Sequence, residues 1–160
     1  MTRKKKSAKS NNAQIVNRRA RFDYELSDEL VVGLSLTGLE VRATRDNHVQ
    51  LKGSYVTIRD GELWLNNASF SLRQNERGKP ESRTVDTSAR KLLANRKQID
   101  QLASRRKDGM TIVPTKLLTN GRFIKLVIAL GKGKKRYDKR ETIKRRDQNR
   151  DTARTLRRYQ

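Results

Sequence analysis

Alternation of apolar and polar residues in the middle of the chain predicts short β-strands. Phe22, Tyr24 and Leu26 alternate with polar residues, which is the period of a strand with one buried face. A pair of valines follows, and such β-branched side chains favour extended backbone. We therefore expect residues 21–36 to contain a strand that bends or changes its pairing.

Two regions combine paired apolar runs with a turn dipeptide, and each predicts a β-hairpin. In residues 54–70 the runs flank Asp60-Gly61, and in residues 110–130 they flank Asn120-Gly121. Both dipeptides accept the positive φ angles of tight hairpin turns.

Helical spacing and a capping motif predict two helices among these strands. Thr37-Gly-Leu-Glu40 has the spacing of a capping box, which predicts a helix up to about Asp46. Glu40 is then a capping residue rather than an active-site acid. Residues 88–104 place their apolar side chains on one stripe, which predicts the second helix. Residues 72–85 contain Gly, Pro and many charges and are expected to form a loop.

The same pattern divides the chain into a body and two charged extensions. Residues 1–12 are charged and without period, so we expect them to be disordered. Residues 13–131 form the body, whose strands and turns predict a mainly β fold with two to three helices: a small, partly open antiparallel barrel of the oligonucleotide-binding type. Residues 132–160 have almost no apolar face, so we expect a tail that is disordered when free and helical against a partner.

The distribution of charge points to a polyanionic partner. The chain has 160 residues and a net charge of +22. Eight Lys and Arg and no acid fall within residues 1–21, and residues 131–160 hold thirteen basic side chains against four acidic ones. Folding does not need this imbalance, whereas nucleic-acid phosphates would neutralise it. An anionic membrane surface is the alternative, but the chain lacks an amphipathic helix with a Leu-rich or aromatic face.

The groups that catalysis or metal binding require are sparse. There is no Cys, and the single histidine, His48, lies in a polar stretch with no partner near it in sequence. The Gly- and Lys-rich run that begins at Gly131 lacks the rest of a phosphate-binding P-loop. We therefore expect no enzyme activity, no metal, no cofactor and no small-molecule substrate.

Three basic clusters carry a resemblance to a known family. They are Asn17-Arg-Arg-Ala-Arg21, Arg90-Lys-Leu-Leu with Asn95, and Gly131-Lys-Gly-Lys-Lys with Tyr137-Asp-Lys-Arg-Glu141. Together with Gly38-Leu-Glu-Val-Arg42 and Arg59-Asp-Gly-Glu62, their order and spacing resemble the SsrA-binding protein (small protein B) family. The resemblance covers nearly the whole chain.

The resemblance implies both a fold and a function. Members of this family have an oligonucleotide-binding barrel with a C-terminal tail, bind the tRNA-like domain of transfer-messenger RNA, and deliver it to the A site of stalled ribosomes. It further implies that the tail lies as a helix in the 16S rRNA decoding centre and the empty mRNA channel. The expected protein is a cytoplasmic monomer that binds the RNA one to one, as part of trans-translation and ribosome rescue.

The basic clusters and the family's motifs together assign residues to two surfaces. Alternation along the last strand places Lys125 opposite the main apolar row, which leaves its side chain available for RNA. The residues expected on RNA are Arg18, Arg19, Arg21, Arg45, Lys91, Leu93, Asn95, Lys125, Lys132, Lys134 and Lys135. The residues expected in the decoding centre are Tyr137, Asp138, Lys139, Arg140, Ile143 and Lys144.

One position departs from the family's pattern. Where members often carry a glutamate implicated in RNA contact, this chain has Val31, and the acidic Glu29 lies two residues away. We transfer that contact to neither residue.

Three other functions remain open at this point. An rRNA-binding or ribosomal protein of similar charge would bind ribosomes without preferring transfer-messenger RNA. An RNA-processing enzyme would need clustered acids or a paired histidine. A single-strand binder would need several exposed aromatic side chains, and aromatics make up only 5% of the chain.

Overall fold

The structure, a computed structural model, describes residues 14–74, 82–106 and 109–158. The segment 1–12, predicted to be disordered, lies outside these residues. Within them the strands are β1 (Gln14–Val16), β2 (Tyr24–Leu34), β3 (Val49–Gln50), β4 (Tyr55–Arg59), β5 (Glu62–Asn66), β6 (Ser69–Gln74), β7 (Ser82–Asp86), β8 (Arg90–Leu93), β9 (Met110–Leu118) and β10 (Lys125–Gly133). The helices are α1 (Arg18–Asp23), α2 (Gly38–Arg45), α3 (Arg96–Arg105) and α4 (Arg136–Arg158).

An antiparallel barrel forms the body. The large sheet runs in the order β1-β9-β10-β2-β8-β5-β4, and β4 pairs again with β9 through Val56 and Ile112. This second pairing closes six strands into a barrel and leaves β1 as an added edge strand. Strands β3, β6 and β7 form a separate small sheet. The mainly β fold predicted from the sequence is confirmed, with a barrel that is closed rather than partly open.

The barrel interior holds the hydrophobic core. Leu63, Leu65, Ile112 and Leu126 are fully buried there. Strand β10 buries every residue from Leu126 to Gly131, on both of its faces. A strand that is covered on both faces has a continuous apolar sequence, and residues 126–130 of β10 are all apolar.

The first predicted hairpin is confirmed and the second differs in its turn. Strands β4 and β5 pair as Arg59 with Glu62, and the two turn residues Asp60 and Gly61 both have positive φ. Between β9 and β10 the connection spans residues 119–124, so it is longer than a two-residue turn.

The helix predicted for residues 88–104 is wrong in its first half. Residues 90–93 form β8, which lies between β2 and β5 and directs Leu92 into the core. Helix α3 begins only at Arg96. In so short a segment, hydrogen bonding to two neighbouring strands of the barrel outweighs a preference for helix.

Two other segments also depart from the sequence predictions. Of residues 72–85, expected to be a loop, 72–74 belong to β6 and 82–85 belong to β7, and these two strands pair with each other. The rest of that predicted loop lies outside the described residues. Residues 21–23, expected to begin a strand, belong instead to the short helix α1. Asn17 caps this helix by accepting from the N–H of Ala20 at 3.2 Å, while its own amide donates to the carbonyls of Leu51 and Pro114, both at 2.9 Å.

Helix α2 begins as predicted. The Glu40 carboxylate accepts from the N–H of Thr37 at 2.7 Å and from its hydroxyl at 3.0 Å. The other carboxylate oxygen accepts from Nε of Arg90 at 2.6 Å, which ties α2 to β8.

The tail is a helix in this structure, and its disorder in the free chain stays a prediction. Helix α4 spans 23 residues, and most of its side chains are exposed. Its first turn is capped, because Oδ2 of Asp138 accepts from the N–H of Lys135 at 3.1 Å. Further along, the hydroxyls of Thr142, Thr152 and Thr155 each donate to the carbonyl four residues earlier.

Candidate nucleic-acid interface

Three cross-strand partners, one each from β10, β2 and β8, form a row on the outer face of the barrel. Lys125 of β10 pairs with Gly33 of β2, which in turn pairs with Leu93 of β8. Lys125 is exposed and the side chain of Leu93 is 54% exposed. A Cβ added to Gly33 would lie 3.1 Å from Cβ of Leu93, a tight contact that would require Leu93 to shift, and glycine avoids it. We call this row, with the cavity beside it, the barrel patch.

The cavity of the barrel patch has a volume of about 540 Å³. Its lining includes Val31, Lys91 and Asn95. Nζ of Lys91 donates to Oε1 of Glu62 at 2.5 Å, so this lysine faces the cavity as half of an ion pair. Asn95 directly precedes α3, and its N–H donates to Oε1 of Gln98 at 3.1 Å, which holds the start of the helix.

A second basic group lies where β10 meets the tail. The N–H of Lys134 donates to the carbonyl of Asp23 at 2.9 Å, and its Nζ donates to the carbonyl of Arg21 at 3.2 Å. Lys132 and Lys135 on either side are exposed. Five residues from Lys132 to Arg136 contain four cations, and backbone contacts to α1 hold this hinge in place.

Asp23 joins α1 to the first turn of α4. Its carboxylate accepts from Nε of Arg19 at 2.6 Å and from Nζ of Lys139 at 2.9 Å. Burial alone would raise the pKa of the Asp23 carboxyl, but the hydrogen bonds and charges of Lys139 and Arg19 together outweigh it and lower the pKa. Asp23 is therefore a fixed anion between two cations at neutral pH.

Tyr137 stands at the start of the tail with its side chain 62% exposed. It lines a cavity of about 740 Å³ together with Arg21, Tyr24 and Lys134. A hydrogen bond to Asp138, and the negative charge of that group, raise the pKa of the Tyr137 hydroxyl. The ring is a neutral aromatic surface at physiological pH and is open on one side.

The structure groups most of the predicted site residues and separates a few. Leu93, Asn95, Lys91 and Lys125 meet at the barrel patch, whereas Arg21, Lys134, Tyr137 and Asp138 line the cavity at the hinge. Arg18 and Arg19 line a separate cleft beside α1. Arg140, Ile143 and Lys144 continue along α4, where they border a shallow surface depression of about 460 Å³. Arg45 is exposed at the end of α2 and borders none of these cavities.

The described ranges contain neither a metal-binding cluster nor a helix fit to cross a membrane. No group of three or more His, Cys, Asp or Glu side chains there could hold a metal ion. No helix in those ranges combines the length and apolar character that a membrane crossing requires.

A family model described as SmpB protein matches residues 14–158. The chain belongs to the SmpB family. It is 40% identical to the SsrA-binding protein of Ligilactobacillus salivarius (strain UCC118) over 155 residues, which cover 96% of this chain and 98% of that protein. It is 42% identical to the SsrA-binding protein of Streptococcus pneumoniae (strain Hungary19A-6) over 144 residues, which cover 88% of this chain and 89% of that one.

A solved structure is similar as well. It is described as "tmRNA-SmpB: a journey to the center of the bacterial ribosome", and one of its chains matches with a TM-score of 0.60 and 33% sequence identity. The match covers 82% of this chain and 94% of that chain. The family resemblance inferred from the motifs is confirmed.

Val31, the position at which this sequence departs from the family's pattern, lies at the barrel patch. Its side chain is 50% exposed and lines the barrel-patch cavity, where the carboxylate present is that of Glu62 on β5. Glu29 instead lines the cavity of about 740 Å³ that Tyr137 borders. The nearest acid in sequence is thus not the acid beside Val31 in space.

Sequence reasoning missed several basic residues that the fold brings to these surfaces. Lys52, Arg146 and Arg150 approach the α1 arginines, and Arg96 borders the barrel patch. Arg146 and Arg150 are four apart in a helix and so share a face. This spacing, which is visible in the sequence, predicts a shared helix face, but it does not predict which other residues lie opposite that face.

Proposed function

We propose that this chain binds the tRNA-like domain of transfer-messenger RNA through the barrel patch and delivers it to the A site of a stalled ribosome. The observation that carries the proposal is the row Lys125–Gly33–Leu93, with Asn95 beside it, on the outer face of a barrel of the SmpB family. A cation, an exposed apolar side chain and an amide there can contact phosphate, ribose and base edges of folded RNA.

The tail has a second role in this proposal. Helix α4 leaves the hinge with Tyr137, Arg140 and Lys144 exposed and would enter the decoding centre and the empty mRNA channel. An mRNA that filled the channel would deny the helix its site. Preference for stalled ribosomes then follows from contact and placement, without a chemical step by this chain.

A competition gel shift tests the RNA part of the proposal. Labelled tRNA-like domain competes with excess bulk tRNA at about 150 mM salt, held constant because phosphate-driven binding depends steeply on salt. We expect binding to survive a large excess of tRNA. Binding that equal tRNA abolishes would identify a general basic RNA binder and favour the ribosomal-protein alternative.

A matched pair of lysine variants locates the contact. Lys125→Ala is expected to raise the Kd for the tRNA-like domain about tenfold, the equivalent of about 1.4 kcal/mol. Lys97→Ala removes an exposed lysine of α3 that belongs neither to the row Lys125–Gly33–Leu93 nor to the lining of the barrel-patch cavity, and its Kd should stay close to wild type. Equal Kd values for the two variants would contradict the assignment of Lys125 to the RNA interface.

A further inference from the structure

The cleft between α1 and α4 is lined by cations on both walls. Its volume is about 1080 Å³. One wall carries the α1 arginines with Lys52 at its base, and the other carries two arginines of α4. Among the described residues that line the cleft, none is acidic. The cationic residues are Arg18, Arg19, Arg21, Lys52, Arg146 and Arg150.

The cations that line the cleft repel one another, and an anion that enters the cleft would reduce this repulsion. Like charges on facing walls disfavour the closed arrangement, most strongly where water is partly excluded. Asp23 balances part of this charge at the hinge, where it accepts from Arg19 and Lys139. Arg146 and Arg150 lie two and three turns further along α4, beyond the reach of that contact. Nη1 of Arg150 lies 3.9 Å from Oδ1 of Asp147, a long ion pair that leaves its positive charge only partly balanced.

The shape of the cleft fits an extended anion. Arg146 and Arg150 lie on one face of α4, about 6 Å apart along the helix axis. Arginines can hold phosphate oxygens with two parallel hydrogen bonds. Val49 and Leu51 also line the cleft, but they are only 4% and 2% exposed, so the cations supply its contacts to an anion.

We propose that this cleft is a binding site for the phosphate backbone of an RNA strand, with the tail helix as one wall. The inference rests on the proposed function, because it places the RNA that this chain binds. It adds Lys52, Arg146 and Arg150 to the interface and gives the middle of α4 a role outside the mRNA channel. RNA in the cleft also stabilises the docked tail, because it offsets the repulsion between the walls.

Salt-dependent binding tests the cleft directly. The double variant Arg146→Gln/Arg150→Gln is compared with Arg145→Gln/Arg154→Gln. Both remove two tail arginines, and Arg154, like Arg150, stands three residues after an aspartate. Neither control residue lines the cleft. Kd is measured against salt with two probes, the tRNA-like domain of transfer-messenger RNA and purified small ribosomal subunits.

For the probe whose backbone enters the cleft, Arg146→Gln/Arg150→Gln should reduce the slope of log Kd against log salt by about one unit per arginine. Lys52→Gln, on the opposite wall and outside the tail, should reduce it by about one unit with the same probe. The probe that responds distinguishes transfer-messenger RNA from ribosomal RNA as the source of the strand.

Two results separate failure of the cleft from failure of the proposed function. Slopes that are the same for the cleft pair and the control pair with both probes would overturn the cleft, even if wild type binds the tRNA-like domain tightly. Wild type that shows no preference for the tRNA-like domain over bulk tRNA would overturn the proposed function instead.

Discussion

At the scale of single residues, Arg90 and Lys91 show that neighbours in one basic cluster can have opposite roles. Lys91 faces the barrel-patch cavity, whereas the side chain of Arg90 is only 3% exposed. Arg90 donates to Glu40 at 2.6 Å and to Asp86 at 3.0 Å, and its guanidinium lies 3.9 Å from the centre of the Phe70 ring. It therefore holds α2, β7 and β8 together and is not available to RNA.

Replacing Arg90 should be costly for stability. Arg90→Met leaves the buried Glu40 carboxylate without its cationic partner, and the free energy of unfolding should fall by about 3–5 kcal/mol. Arg83→Met, at an exposed position on β7, should change it by about 0.5 kcal/mol or less. Urea unfolding followed by circular dichroism measures both. Equal midpoints for the two variants would mean that the buried pair contributes little.

At the scale of secondary-structure elements, contacts between distant segments decide how α4 is placed. Lys139 belongs to the tail motif that we assigned to the decoding centre, yet its Nζ donates to Asp23 of α1. Asp138 caps the same helix. Among Tyr137, Asp138, Lys139 and Arg140, the side chains of Tyr137 and Arg140 are the exposed ones.

Asp23→Asn should loosen the first turn of α4. The pKa of the Asp23 carboxyl is lowered in the folded state, so its contribution is complete well above the ordinary value of 3.8 and is lost as the pH falls through the lowered pKa. We expect wild type to lose helical signal at 222 nm as the pH falls below the ordinary value of 3.8, and Asp23→Asn to begin with less signal and change less.

The matched control for this variant is Asp28→Asn. Asp28 pairs with Arg105 at 2.8 Å and makes no ion pair with the tail. Its substitution should leave the helical signal and its pH dependence as in wild type. If Asp28→Asn and Asp23→Asn behave alike, the Asp23–Lys139 contact does not hold the tail.

At the scale of the whole molecule, the hydrophobic core and the excess charge are spatially separate. The barrel buries the apolar residues, while α1, the hinge and α4 carry a large share of the +22 net charge. The members of the core cluster all lie between residues 32 and 130, and none comes from α4. The body and the tail can therefore be altered independently.

Deleting the residues after Lys135 tests this separation. The free energy of unfolding of the body, measured by urea unfolding, should stay within about 0.5 kcal/mol of wild type, since the core loses nothing. Binding of the tRNA-like domain should persist, while tagging of incomplete polypeptides in a translation assay should be abolished. Loss of both binding and tagging would contradict a separate tail function.

Much of the fold and part of the site could be predicted from the sequence, because the signals concerned are local. The Asp60-Gly61 hairpin, the start of α2 at Thr37 and the outward position of Lys125 each depend on a few neighbouring residues. Composition and charge likewise indicated a polyanionic partner, and the order of the motifs indicated the family.

Only the tertiary structure decided the features that depend on long-range pairing. Residues 90–93 have helical spacing but form a strand, because β2 and β5 offer hydrogen-bond partners on both sides. Arg18 and Arg146 share a cleft through contacts at Asp23 that no sequence period encodes. The sequence by itself determined the local elements and the charge, because these depend on near neighbours. The barrel closure, the barrel patch and the basic cleft depend on which distant segments meet, and only the folded chain settles that.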